Sequence, residues 1–264
     1  MRKRTVTMIK TGRKLCISLT VAAVVSLTLI EIFRPAPFEN AKLNESFFVI
    51  LTRLIGAALF LFLIKYLSYD ILSPKYVRGK AVLYALPCFA VAINNLPYVA
   101  LFAGDATVSA SAAELIFFAV ECVLVATFEE FAFRGVLFCT LLKKCDSRRK
   151  VVGAIVISSV IFGLFHLVNL IYSADVGGVL LQVGYSALVG AMCAFVLFKT
   201  NSVWLCAAIH AIYNFCGQIV PRLGGGNMLN LPQIIITVII SVFCAIYIIL
   251  SILKTDVSPD KQEN

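Results

Sequence analysis

Apolar residues fall in eight long runs, at about 15–33, 46–67, 81–103, 110–142, 151–171, 177–198, 202–220 and 232–253. Each approaches the roughly 20 residues that an α-helix needs to cross a bilayer. Only short polar connections separate them. The pattern therefore predicts an all-α fold, a polytopic transmembrane helix bundle of about eight spans. The first run follows the basic stretch Met1–Lys14 and is longer than the apolar part of a signal peptide. Phe33-Arg34-Pro35-Ala36-Pro37 after it makes no small-x-small cleavage site, so an uncleaved first helix is expected. The fourth run is too long for a simple crossing and should tilt or extend past the membrane. Asn94, Asn95 and Pro97 mark a kink with interhelical hydrogen bonds, and Gln182 reads the same way. Gly224-Gly225-Gly226 reads as a flexible turn in the last connection. No GK[ST] follows it, so it is no phosphate loop.

Composition agrees. The 264 residues are 61% hydrophobic and 14% charged, against roughly 45–50% and about 25% in soluble domains. The net charge of +9 could point to nucleic acid, but its distribution does not. With the N-terminus inside, eighteen of the 23 Lys and Arg residues fall in inner segments. Three fall outside (Arg34, Lys42 and Arg222), while Arg53 and Arg134 lie within spans. That bias marks topology, with both termini cytoplasmic, and contact with anionic lipid. No basic–aromatic interleaving suggests a nucleic-acid surface. The nine cysteines are odd in number, contain no CxxC and sit in apolar runs. They read as small buried hydrophobes, not as disulfides or metal ligands.

Ionisable residues within the runs carry the chemistry, because a charge near a helix centre costs about 2.5–3.5 kcal/mol on insertion scales and usually faces the bundle interior. The fourth run contains Glu129, Glu130 and Arg134. Glu130 and Arg134, four apart, share a helix face and can pair. Glu129 projects about 100° away and must find a partner on another helix or stay protonated. Both histidines of the chain lie in runs: His166, four after Phe162, and His210, four before Asn214. At about 1.5 Å per residue, Glu129 lies roughly 21 Å from the level of Lys143, His166 roughly 24 Å from Lys150, and His210 and Asn214 roughly 17 and 23 Å from Lys199. The four can therefore share one layer. Glu114 sits near the outer interface, and the deeper Glu121 has Arg53 as a candidate partner.

A carboxylate, two imidazoles and a carboxamide suit water-activated acyl hydrolysis. Glu129 would be the general base, with an imidazole beside it to share the proton. His210 and Asn214 would donate to the oxyanion. No Ser stands in a GxSxG setting. HExxH is absent, so a zinc site, the metal alternative, would have to be built from His166, His210 and one or both glutamates, Glu129 first and then Glu130.

Glu129-Glu130-x-x-x-Arg134, Phe162-x-x-x-His166 and His210-x-x-x-Asn214 resemble the three motifs of the CPBP family. That family groups type II CAAX prenyl endopeptidases with bacteriocin-processing and self-immunity (Abi) membrane proteins. The resemblance runs from about 110 to 220. It implies a catalytic helical core at 110–220, flanked by an N-terminal part at 1–109 and a last span and tail at 221–264. It implies that Glu129 activates water, His166 assists, His210 and Asn214 stabilise the oxyanion, and Glu130 and Arg134 support the site, with Phe162 in the second motif. It further implies a peptide or protein substrate at the membrane, lipidated or a leader peptide, and a multi-pass place in a bacterial cell membrane. The family has been described both as metal-dependent and as metal-independent. Two other classes stay open from the residues alone: a proton-coupled transporter using Glu129, His166 and His210 as a relay, and a non-catalytic immunity or partner-binding protein. The transporter reading lacks an inverted repeat or paired broken helices.

Overall fold

The structure, a computed structural model, describes residues 29–30, 32–73, 79–171, 173–228 and 230–255. It is an all-α bundle. Helix α1 spans Ala41–Tyr66. A 3₁₀ turn, Gly79–Ala85, leads into α2, Leu86–Asn94, and α3, Tyr98–Ala103. Strand β1, Ala106–Val108, precedes α4, Ala112–Glu130. That helix runs on as a π-helix over Phe131–Phe138 and ends as α5, Cys139–Leu142. Helix α6, Arg148–Phe165, tightens into a 3₁₀ turn, His166–Ile171. Helices α7, Val176–Thr200, and α8, Val203–Leu223, lead to β2, Gly224–Gly226, and α9, Leu231–Leu253.

Among the described residues, six helical stretches are long and apolar enough to cross a membrane: 41–66, 82–103, 148–171, 176–200, 203–223 and 231–253. They coincide with six of the eight predicted runs. The run at 15–33 lies, except for its last residues, outside the described residues. The run at 110–142 is one unbroken helical rod that carries four glutamates and Arg134. At about 1.5 Å per residue it is roughly 45 Å long, more than the roughly 30 Å hydrocarbon core, as its length predicted. The third run breaks where Asn95–Pro97 separates α2 from α3, and the amides bond across helices as expected. Asn94 Nδ2 donates to Thr237 Oγ1 at 3.0 Å, and Asn95 Nδ2 to the Tyr213 carbonyl at 2.8 Å. Gln182 accepts from Asn169 Nδ2 at 2.8 Å.

Helix α7 is the most enclosed element, with Cys193–Leu197 wholly inside the bundle. Gly163 of α6 lets the two helices close up. A methyl there would stand 2.6 Å from the Val183 carbonyl oxygen. Helix α9 covers the flank and turns Ile235, Val242, Phe243 and Ile249 outward, a face suited to lipid tails. The eight described cysteines are all buried and none forms a disulfide, in line with their reading as hydrophobes.

The two ends of the bundle differ. At one end the basic connections are tied together. Lys143 Nζ donates to the Leu67 carbonyl at 3.4 Å, Arg148 Nη2 to that of Thr255 at 3.1 Å, and Lys199 Nζ to that of Ser251 at 3.2 Å. At the other end β1 and β2 pair antiparallel, Thr107 opposite Gly225. The three glycines are thus a strand and not the flexible turn expected. A Cβ at Gly224 would collide with the Thr107 carbonyl, and Gly226 has φ +108°. Helix α4 starts beside this pair with a capping box. Ser111 Oγ accepts from the Glu114 N–H at 3.3 Å, and the Glu114 carboxylate accepts from the Ser111 N–H at 2.7 Å. The Ser111 backbone N–H, then its hydroxyl and Asn40, hold the Glu114 carboxyl below its ordinary range.

Candidate active site

The site is built where α4 gives way to the π-helix. Widened π turns inside α-helices recur at functional sites. Gly135 in this turn lets α1 pack closely against it, because a side chain there would run into Ile64 of α1. Glu129 and Glu130 are the last residues of α4, and Arg134 lies in the π turn that follows. Arg134 Nε stands 3.1 Å from Glu130 Oε2, so the pair read from the spacing is made. Both side chains are buried, at 1% and 0% exposure.

Glu130 does more than neutralise Arg134. Its Oε1 accepts a hydrogen bond from His210 Nδ1 at 2.8 Å. The same imidazole turns its Nε2 towards Glu129 Oε2 at 3.6 Å. His210 of α8 therefore sits between the two glutamates of α4. This answers the question of how Glu129, without a cation on its own helix, finds a polar partner.

Phe162 of α6 is the wedge around which the other groups turn. Its ring meets both imidazoles edge-on, with centroids 5.1 Å from His166 and 5.7 Å from His210. The Arg134 guanidinium stands over its face at 4.4 Å. That contact takes the place of hydrogen bonds, because Arg134 Nη1 and Nη2 are buried without acceptors. Gly190 of α7 makes the room. A Cβ there would come within 3.2 Å of both Arg134 Nη2 and Phe162.

His166 closes α6, its ring next to Phe162. Its Nδ1 lies 3.0 Å from the Phe162 carbonyl, to which it donates, and its Nε2 lies 3.5 Å from the Ser186 hydroxyl. Ser186 was not singled out in the sequence. The available signal was its position four after Gln182, on one face of an apolar run.

Glu129, Phe162, His166, His210 and Asn214 all line one cavity of about 1010 Å³. The four residues expected to share a layer are thus brought together, with Glu130 and Arg134 buried behind them. The Asn214 carboxamide has no hydrogen bond to another described residue and is free for a ligand. Val125, Phe128, Phe165, Tyr185, Val189 and Tyr213 give the cavity apolar walls.

The zinc set Glu129, His166 and His210 is not drawn together as a ligand cluster in this structure. His210 directs one ring nitrogen to each glutamate. His166 is turned to a carbonyl and a serine hydroxyl. Among the described residues no three His, Cys, Asp or Glu side chains converge as metal ligands.

The candidate Glu121–Arg53 pair is not formed. Glu121 Oε2 accepts from Arg222 Nη2 at 2.9 Å and from Ser46 Oγ at 2.7 Å. Arg222, assigned by sequence to the last connection, lies in the last turn of α8 and reaches back to α4. It also pairs with Glu45.

No curated protein and no solved structure is significantly similar to the chain. Residues 111–216, which carry all seven motif positions, match the family described as type II CAAX prenyl endopeptidase Rce1-like, in agreement with the CPBP resemblance of the motifs.

Proposed function

We propose that the protein is an intramembrane endopeptidase that hydrolyses a peptide bond of a membrane-associated substrate with Glu129-activated water. One observation carries the reading: a single imidazole, His210, lies between Glu129 and Glu130 in a cavity sunk among membrane helices. Glu130 accepts the Nδ1 proton and fixes the ring, much as a carboxylate orients a catalytic histidine elsewhere. Nε2 is then the atom presented to Glu129 and the cavity.

The chemistry follows from that placement. Glu129 takes a proton from a water molecule, and the resulting hydroxide adds to the scissile carbonyl carbon. The carbonyl oxygen, now an oxyanion, accepts from Asn214 Nδ2–H and, in the doubly protonated ring, from His210 Nε2–H. Collapse breaks the C–N bond, and the proton held by Glu129 passes to the leaving amine. His166, with Nε2 turned to Ser186 and the cavity, assists in moving that proton. Apo spacings such as 3.6 Å between His210 and Glu129 are ordinary before substrate tightens a site. No step passes through a metal.

The charge bias adds a direction. If the tied basic end faces the cytoplasm, the end of α9 at Thr255 does too. The cavity runs the other way, from Glu129 past Gln218 to Arg222 and Met228 near the β1–β2 pair. We place its mouth on that side, the outer face of the membrane, in this reading a bacterial cell membrane. A leader or other exported peptide fits that side better than a lipidated cytoplasmic protein. The test is cleavage of quenched peptide mixtures by purified full-length protein in liposomes. Wild-type protein should cleave and Glu129→Gln should not; equal rates would end the proposal.

A further inference from the structure

The cavity holds a guanidinium that no carboxylate among the described residues neutralises. Arg53 lies on α1 in the cavity wall, its Cζ 5.3 Å from the centroid of the Phe128 ring. Its Nε is buried and has no hydrogen-bond partner. No carboxylate among the described residues pairs with it. The acids in the same wall are engaged elsewhere, Glu121 with Arg222 and Ser46, and Glu129 facing His210. The other guanidiniums of the wall differ. Arg222 is held by Glu121 and Glu45, and Arg34 lies over the Phe48 ring.

A cation placed within a membrane span is costly and normally finds a counter-charge. Phe128 steadies the guanidinium from one side and cannot supply that charge. Thr52, beside it in the wall, gives its hydroxyl proton to the Val49 carbonyl. The missing partner is therefore expected in what the cavity binds. A planar guanidinium held by an aromatic ring suits a carboxylate, which can accept two of its N–H groups at once. Phe128 is the residue immediately before Glu129, so the anion would lie within a few extended residues, at about 3.3 Å each, of the scissile bond.

We infer that Arg53 is a substrate-binding residue that takes a peptide carboxylate, either the terminal carboxylate or an Asp or Glu side chain near the cleaved bond. The inference rests on the endopeptidase reading and adds its substrate class: an apolar peptide with one negative charge close to the cleavage point.

The test uses full-length Glu129→Gln protein in detergent micelles and labelled mixtures of apolar decapeptides. Each mixture is made in three forms: free acid, C-terminal amide, and amide with one internal Glu. Binding is read by fluorescence anisotropy, with and without Arg53→Gln or Arg53→Lys. One of the charged forms should bind at least about tenfold more tightly than the neutral amide, the effect of one charge-assisted contact. Preference for the free acid assigns the terminal carboxylate, and preference for the internal Glu assigns the side chain. Arg53→Gln should bring the ratio close to one, and Arg53→Lys should keep part of it. Equal binding of all forms, no binding of any, or a preference that survives Arg53→Gln would overturn the inference. So would an anion effect confined to phosphatidylglycerol over phosphatidylcholine micelle additives. Cleavage of the same mixtures by the wild-type chain separates the two claims. Carboxylate-dependent binding without cleavage removes the protease and keeps the subsite. Cleavage without charge preference does the reverse.

Discussion

His210 Nδ1 stands 2.8 Å from Glu130 Oε1, a contact between residues 80 positions apart in the chain. It joins α8 to the buried end of α4 and sets which ring nitrogen looks into the cavity. Glu130→Gln keeps the shape but removes the carboxylate charge that supports the doubly protonated ring, the form in which Nε2–H is donated. Proteolysis should fall at least about as far as for loss of an oxyanion donor, 10²-fold or more. The rate of peptide cleavage by purified protein checks this, with thermal unfolding in detergent as the control for fold.

Arg134 carries a stability burden. Arg134→Ala leaves Glu130 buried with one partner fewer, and breaking a buried pair costs about 3–5 kcal/mol in soluble proteins. Lower folded yield and a lower Tm are expected together with lost cleavage. Arg134→Lys should rescue poorly, because the flat guanidinium both meets Glu130 and covers the Phe162 face. Gel filtration in detergent and a melting curve for each variant decide the matter.

Asn214→Ala should cost about 10²–10³-fold in rate while the fold is retained, the usual effect of losing one oxyanion donor. His210→Ala should cost more, since it removes the group between the two glutamates as well as a donor. The double variant should fall well short of the product of the two losses, because the residues act as a unit. Steady-state kinetics on the four proteins gives the comparison.

Helix packing near the site can be tested without touching its polar groups. Gly163→Ala places a methyl 2.6 Å from the Val183 carbonyl oxygen, a backbone atom that cannot swing aside. Forcing α6 from α7 should cost about 1–3 kcal/mol and shift His166 relative to Ser186. A Tm lower than wild type, with cleavage reduced in parallel, is the expected result.

Much of the fold was legible because lipid imposes a simple rule: runs of apolar residues near bilayer length become helices. Six runs fell where the structure has them. The site was legible for the converse reason. Glu129, Glu130, Arg134, His166 and His210 are polar groups in places where polarity is costly. What the sequence did not disclose depends on distance between helices. Glu130 looked committed to Arg134 because only its own helix could be read, and the bond to His210 appears once α8 is placed. Glu121 seemed closest to Arg53 because Arg222 was counted in a connection, although α8 continues through it. The π turn was invisible to a reading in 100° steps. The glycine triplet looked like a turn because its partner strand lies more than 100 residues earlier.

The proposed scheme uses no metal, and among the described residues no three His, Cys, Asp or Glu side chains converge as ligands. Cleavage should persist in the presence of a strong chelator, and elemental analysis of active protein should find no stoichiometric zinc. Activity that disappears with the chelator and returns with zinc would replace the water-activation scheme with a metal one.

Orientation is open to a direct check. Reporter fusions at Asn264 and within Gly224–Gly226 should report opposite sides of the membrane, with Asn264 cytoplasmic. Both on one side would remove the outward-facing mouth.

The role of Glu129 is the centre of the account, and mapping of peptide termini tests it most directly. Membranes holding the wild-type chain are compared with membranes holding equal amounts of folded Glu129→Gln. The account predicts a set of new termini present with the wild type and absent with the variant. The same termini at the same abundance in both would contradict it.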